Sequence, residues 1–278
     1  MLTAYFSPTG TTKHIALALS TYLKDALTRQ GGLPSIKKID FTQLSERVPD
    51  EISEIIEVDR DTLFILSLPV YAGRVPNILL PYLKRFKGDH TKTVIVAVYG
   101  NRHYDDALME IWQLLKANGF DVIAAGAFIG AHSFSDQLAS GRPDADDISI
   151  CKQFAEKIAE KLEKYATACP EVVGIPGKWP LRSYFRPVDV NGVPFDFKRI
   201  APVTQDSCIA CGLCSKICPV GSISNRDHKT IIGICIKCCA CVKRCPVNAK
   251  QFDDLNFIKH KIELETDFFS RKSPEYFL

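Results

Sequence analysis

The stretch AYFSPTGTTKHIALAL, residues 4–19, decides the fold. It reads as a strand that passes through a tight turn into a helix. Hydroxyls at Ser7, Thr9, Thr11 and Thr12 crowd around Gly10 in that turn. Backbone N–H groups at a helix N-terminus, joined by hydroxyl donors, suit a terminal phosphate monoester held by hydrogen bonds.

The pattern continues downstream. Strands are predicted near 2–6, 35–39, 61–68, 92–99 and 121–130, with helices near 12–28, 77–87, 104–118 and 146–165. Apolar strands such as TLFILSL and TVIVAVY alternating with helices mean a parallel sheet covered on both faces. This is a doubly wound α/β fold with a five-stranded parallel sheet, assigned to residues 1–165. Ligands in such folds bind outside the carboxyl ends of the strands, at loops 7–12, 69–76, 99–104 and 131–135. The turn lacks the Gly-Lys-Ser/Thr ending of an ATP-binding loop, and no GxGxxG appears in the chain, so ATP and NAD are poor candidates.

SPTGTT resembles the phosphate loop of the flavodoxins, and the resemblance implies FMN, with its 5′-phosphate at Ser7, Thr9, Gly10, Thr11 and Thr12. Two further loops would face the flavin ring. One is PVYAGRVP, from which Pro69, Val70, Tyr71, Ala72 and Gly73 are assigned. The other is YGNRHY, from which Tyr99, Gly100, Asn101, Arg102 and Tyr104 are assigned. Tyr71 is expected against the ring, and Gly73 tolerates a backbone flip beside it. His132, in AHSFS, is placed near the flavin by the resemblance alone.

The chain has 278 residues, 46% of them apolar, enough for one large core with a small satellite. No signal peptide is recognised, and the longest apolar run, VIAAGAFIGA at 122–131, is too short to span a bilayer; a cytoplasmic protein without membrane attachment is expected. Eleven cysteines in such a compartment should be ligands rather than disulfides. Cys208, Cys211, Cys214 and Cys218 spell C-x2-C-x2-C-x3-C-P, and Cys235, Cys238, Cys241 and Cys245 repeat it at an offset of 27. A zinc ribbon uses paired CxxC steps but has no need of the third step or the C-P ending.

The doubled run resembles the bacterial two-cluster ferredoxins over residues 202–253, a small α+β ferredoxin-like unit. In that family each 4Fe-4S cluster takes three cysteines from one run and the fourth from the other. The resemblance assigns Cys208, Cys211, Cys214 and Cys245 to cluster one, and Cys235, Cys238, Cys241 and Cys218 to cluster two. Cys239 stands where the first run has Gly212, which leaves open whether Cys238 or Cys239 binds, although the spacing favours Cys238. Cys151 and Cys169 read as ordinary thiols.

Residues 166–200, rich in proline and aromatics, read as a connector that packs on the protein. Residues 201–253 form the ferredoxin unit, and 254–278 an extension that folds back over one of the units or a partner subunit. Residues 1–165 carry a net charge of −2 and residues 198–261 a net +7. Part of that surplus offsets cluster charge, and the rest suits an acidic docking face on a redox partner protein. Nucleic acid is not expected, since no recognition motif accompanies the charge.

Over nearly the whole length the chain resembles fused flavodoxin and ferredoxin proteins of anaerobic bacteria and archaea. The resemblance implies an electron carrier between one-electron clusters and FMN. The rival readings are an FMN-dependent reductase of a small substrate fed by the clusters, and a redox sensor. A homodimer, with the clusters of one subunit beside the flavin of another, is as compatible with the connector as an arrangement within one chain.

Overall fold

The computed structural model describes residues 1–47, 54–165, 169–189 and 191–278; the expected connector therefore has residues 166–168 and 190 outside the described residues. Strand β1 (Leu2–Tyr5) runs into helix α1 (Thr11–Arg29) through the turn at Gly10, whose φ of 95° is the left-handed conformation that glycine adopts without strain. Strands β2 (Lys37–Asp40), β3 (Ile56–Val58) and β4 (Phe64–Pro69) follow, then helix α2 (Leu80–Leu83), strands β5 (Phe86–Gly88) and β6 (Thr91–Tyr99), helix α3 (Ala107–Lys116), strand β7 (Phe120–Ile129) and helix α4 (Ala145–Lys164). Strand β8 (Val203–Thr204), helices α5 (Leu213–Lys216) and α6 (Ala240–Lys243), strand β9 (Lys250–Gln251), helix α7 (Leu255–Asp267) and strand β10 (Glu275–Phe277) complete the chain.

The five parallel strands lie in the order β2-β1-β4-β6-β7. That is the flavodoxin-like doubly wound order, and its switch point falls between β1 and β4. The apolar stripes of α1 (Ile15, Leu19, Leu23) and α4 (Phe154, Ala155, Ile158) bury against one face. Leu108, Ile111 and Leu115 of α3 cover the other, over a cluster containing Phe6, Phe41, Phe64 and Phe86. The central strands β1, β4, β6 and β7 are consequently buried on both sides, while the edge strand β2 is polar and mostly exposed, and the carboxyl ends of β1, β4, β6 and β7 open at one edge of the layer.

The sheet has a sixth strand. β10 joins β7 antiparallel, with Glu275 opposite Ala127, and shields what would otherwise be an open edge. The extension thus folds back onto the sheet of its own chain. Arg271 fastens it by pairing with Asp144, the N-cap of α4, at 2.7 Å, and Asp144 completes a capping box with Asp147.

The helix expected over 77–87 is shorter. A 3-10 turn at Asn77–Leu79 and one turn of α2, with Pro81 in its first turn, give way to β5, which pairs parallel with β3. Phe86, fully buried with its ring 5.2 Å from that of Phe64, draws the chain out of the helix into the core.

The cysteine-rich region is built differently. Its helices have four residues each and its strands two, and its buried apolar cluster is Ile217, Cys238 and Ala240. So small a cluster cannot offset the chain's conformational entropy by apolar burial. Among the described residues no helix is long and apolar enough to cross a membrane.

Candidate cofactor sites

At the carboxyl end of β1, Ser7, Thr9 and Gly10 line a cavity of ≈ 420 Å³ together with Lys13, Asp40, Thr42 and Arg244. The Ser7 N–H donates to Thr42 Oγ1 at 2.9 Å, and Ser7 Oγ accepts from the Lys13 N–H at 2.9 Å, so that hydroxyl braces the helix start and keeps its own hydrogen to donate. Thr11 leaves this cavity and packs against Gly130 beyond β7, where a Cβ would come within 2.8 Å of the threonine side chain. Thr12 is buried, and its Oγ1 has no hydrogen-bond partner. An orphaned buried hydroxyl is costly unless something bonds it. Thr12 stands outside the lining of this cavity, at the head of α1, where a helix start and an unpartnered hydroxyl together suit a phosphate oxygen.

A second cavity, ≈ 170 Å³, opens at the ends of β4, β6 and β7 and is lined by Val70, Tyr71, Ala72, Gly73, Tyr99, Gly100, Arg102 and His132. Of the residues assigned to the ring from sequence, Pro69 ends β4 outside this lining. Asn101 and Tyr104 also lie elsewhere. The Asn101 amide donates to the carbonyls of Phe268 and Ser270 at 2.6 and 2.9 Å, and the Tyr104 hydroxyl donates to Glu275 at 2.9 Å. Both therefore pin the C-terminal extension. Gly100 is required by close approach, since a Cβ there would lie 2.4 Å from the His132 ring.

The rest of the lining comes from far along the chain. Phe185, Pro187 and Phe197 of the connector, Ile236 and Lys237 of the second cysteine run, and His260 and Leu264 of α7 close the cavity. The connector's aromatics read as packing residues from sequence, but nothing in their pattern named the surface they pack on. Phe134 lies tilted against the rings of Phe257 and Phe197, at 4.8 and 6.0 Å between centroids, forming an aromatic roof. His132 Nδ1 accepts from the Phe134 N–H at 3.1 Å. Burial, then His260, Lys243 and Arg102, hold its pKa down at about 4, so the ring is neutral at ordinary pH.

The cysteines collect into two quartets. Cys208, Cys211, Cys214 and Cys245 surround one cavity of ≈ 20 Å³, and Cys218, Cys235, Cys238 and Cys241 surround another, which Cys239 also lines. Among the described residues, no three His, Cys, Asp or Glu side chains converge on a point that would hold a single metal ion. Each quartet lines a cavity of its own, and four thiols around one space are a donor set that fits a four-iron cluster. The duplication extends to the hydrogen bonds. The Ser222 N–H donates to Cys218 Sγ at 3.3 Å and the Ala249 N–H, 27 residues on, to Cys245 Sγ at 3.2 Å.

The two quartets meet different surroundings. Cys211 is exposed, whereas Cys238 and Cys241 are buried, and burial pushes the Cys241 thiol up to about 12. Ile236 lines the second quartet's cavity as well as the ring cavity. Tyr71 packs on the small cluster that contains Cys238 and Ala240. Its hydroxyl pKa is raised by burial and then by Cys238, Cys239 and Cys235. Lys243, at the end of α6, donates to the Ser135 carbonyl at 2.7 Å, fastening the second run to the loop after β7.

The family described as 4Fe-4S binding domain matches residues 201–224, the span holding Cys208 to Cys218. A search of curated proteins finds no match. Among solved structures the chain is similar to a flavodoxin from the domain Archaea, at 15% identity over 58% of this chain and 97% of that one, with a TM-score of 0.39. It is also similar to oxidised flavodoxin 1 from Bacillus cereus, at 14% identity over 57% and 96% with a TM-score of 0.39. A third is an azoreductase from Bacillus anthracis, at 11% identity over 58% and 98% with a TM-score of 0.37.

Proposed function

We propose that this protein binds FMN between the loops of its parallel sheet and the second cysteine run, holds one 4Fe-4S cluster in each cysteine quartet, and carries electrons between clusters and flavin. One observation carries the reading: Ile236 is a wall of both the ring cavity and the second quartet. Tyr71, against the same cluster of residues, strengthens that contact.

When bound, the clusters exchange single electrons and FMN exchanges one or two, so their pairing joins one-electron carriers to two-electron chemistry. The chain's own residues bind and position. Thr9 and Gly10 of the cavity wall, with the unpartnered Thr12 hydroxyl at the head of α1, would hold the phosphate end. Tyr71 and Tyr99 flank the ring. Phe134, Phe185 and Phe197 exclude water, and Arg102, paired with Asp105 and 4.9 Å from the Phe185 ring, fixes the roof over the cavity. The thiolates hold the irons while backbone N–H groups bond the sulfurs of Cys218 and Cys245.

The ring cavity is small beside the several hundred Å³ of a typical ligand pocket. A tricyclic ring under an aromatic roof leaves little room for a second reactant, which favours a carrier over a reductase with its own substrate. Because the contact forms within one chain, the circuit needs no second subunit. The test is anaerobic purification with iron, sulfide and flavin quantitation. The expected content is one FMN and about eight irons per chain; zinc in place of iron, or FAD in place of FMN, overturns the reading.

A further inference from the structure

Cys218 and Cys245 are the cysteines that each run lends to the other's quartet, and their chain neighbours both reach the phosphate side of the sheet. Arg244 lines the ≈ 420 Å³ cavity with Ser7, Thr9 and Gly10. Arg47 donates to the carbonyls of Phe41 and Thr42 at 2.7 Å, and its other nitrogen bonds the carbonyl of Pro219, the residue after Cys218. Leu44 packs against the same turn, where a Cβ on Gly221 would meet it at 3.1 Å. One wall of the cavity is thus tied to the chain beside Cys218, and its arginine comes from the chain beside Cys245.

The charges in that cavity are mixed. Lys13 lies 3.5 Å from Asp40, and Glu46 adds a second carboxylate. An incoming phosphate therefore needs a further cation, and a guanidinium presents the forked donors that fit phosphate oxygens. Building on the FMN reading above, we infer that Arg244 supplies the counter-charge for the flavin's terminal phosphate, so that flavin binding and cluster assembly are thermodynamically linked.

The backbone explains why the link must pass through the clusters. Arg244 sits between Cys241, which faces the second quartet's cavity, and Cys245, which faces the first. Filling both cavities fixes the chain on either side of Arg244 and brings its side chain to the phosphate loop. Emptying them frees the segment, because the region has almost no apolar core of its own. Whatever factor the clusters add to FMN affinity, FMN must return to cluster affinity.

The test compares FMN with riboflavin, which has the same ring and no phosphate, on the cluster-loaded full chain. Arg244→Ala is expected to weaken FMN binding about 10- to 100-fold, the loss of a charge-assisted contact, while riboflavin binding stays unchanged and Arg244→Lys falls between. Equal weakening of both ligands, or no change for FMN, overturns the inference. Iron content is measured on each variant. If Arg244→Ala sheds iron, the wild-type protein decides: FMN should slow removal of iron by a chelator more than riboflavin does, and equal protection overturns the link. Failure of wild-type protein to bind either ligand would instead sink the flavin reading itself.

Discussion

The two cysteine runs share spacing, following proline and helix length, yet they meet opposite environments. Both start a four-residue helix from a left-handed residue, Gly212 at φ 73° in the first and Cys239 at φ 59° in the second. The first quartet then faces outward through Cys211, while the second turns inward to share Ile236 with the ring cavity. Duplication set the local geometry, and docking on the sheet set the surroundings: one quartet opens outward through an exposed cysteine, and the other shares a wall with the cavity at the strand ends.

The largest expected effect breaks the inner quartet. Cys238→Ser should halve the iron content and, through the link at Arg244, weaken FMN affinity, while saturating FMN still fills the site because Thr9, Gly10 and the ring loops stay on the sheet layer. Cys211→Ser should lose the same amount of iron from the outer quartet. Metal analysis and flavin titration check both, and FMN affinity falling as far in Cys211→Ser as in Cys238→Ser would erase the distinction between the quartets.

A pH measurement probes the inward side. His132 is held neutral with a pKa near 4, whereas in the unfolded chain its pKa returns to about 6.5. Between those values the unfolded state binds more protons, so stability falls as pH drops from about 6.5 toward 4, by at most about 3 kcal/mol. His132→Gln should flatten that slope in denaturant titrations. An unchanged slope would mean the ring is not held neutral in the folded protein.

Thr12→Val removes the orphaned hydroxyl. Stability without flavin should hold or rise slightly, since an unsatisfied buried group is gone. FMN binding should weaken by roughly 1.5 to 3 kcal/mol, measured by fluorescence quenching, with both clusters intact. Unchanged affinity would reduce the turn to a helix start.

The smallest effect sharpens the repeat itself. Cys239→Gly relieves a left-handed side-chain residue and should stabilise the cysteine-rich region by about 1 kcal/mol with no loss of iron. Iron loss would show that Cys239, and not Cys238, is the ligand.

Much of this was legible in the sequence. Gly10 among its hydroxyls marked the first turn, the runs TLFILSL and TVIVAVY marked buried parallel strands, and the offset of 27 marked the duplicated cysteine run, whose division into quartets came from the ferredoxin resemblance. Local chemistry writes such features directly. What stayed hidden depends on distant contacts. Ile236 and Arg244 look like ordinary inter-cysteine residues until the cysteine-rich region docks on the sheet. Asn101 and Tyr104 fit a ring-contacting loop by position, but the C-terminal extension claims their polar groups. In the extension, Phe257, His260 and Leu264 lie at i, i+3 and i+7 on the buried face of α7, but a histidine interrupts the apolar stripe, and β10 is an edge strand of only three residues.

We propose that electrons reach the flavin through the inner quartet. Stopped-flow reduction by a low-potential one-electron donor tests it most directly, following flavin absorbance in wild-type protein and in Cys238→Ser with FMN bound in both. The fast phase of flavin reduction is expected to be lost in Cys238→Ser. Flavin reduction as fast in Cys238→Ser as in the wild type would contradict it.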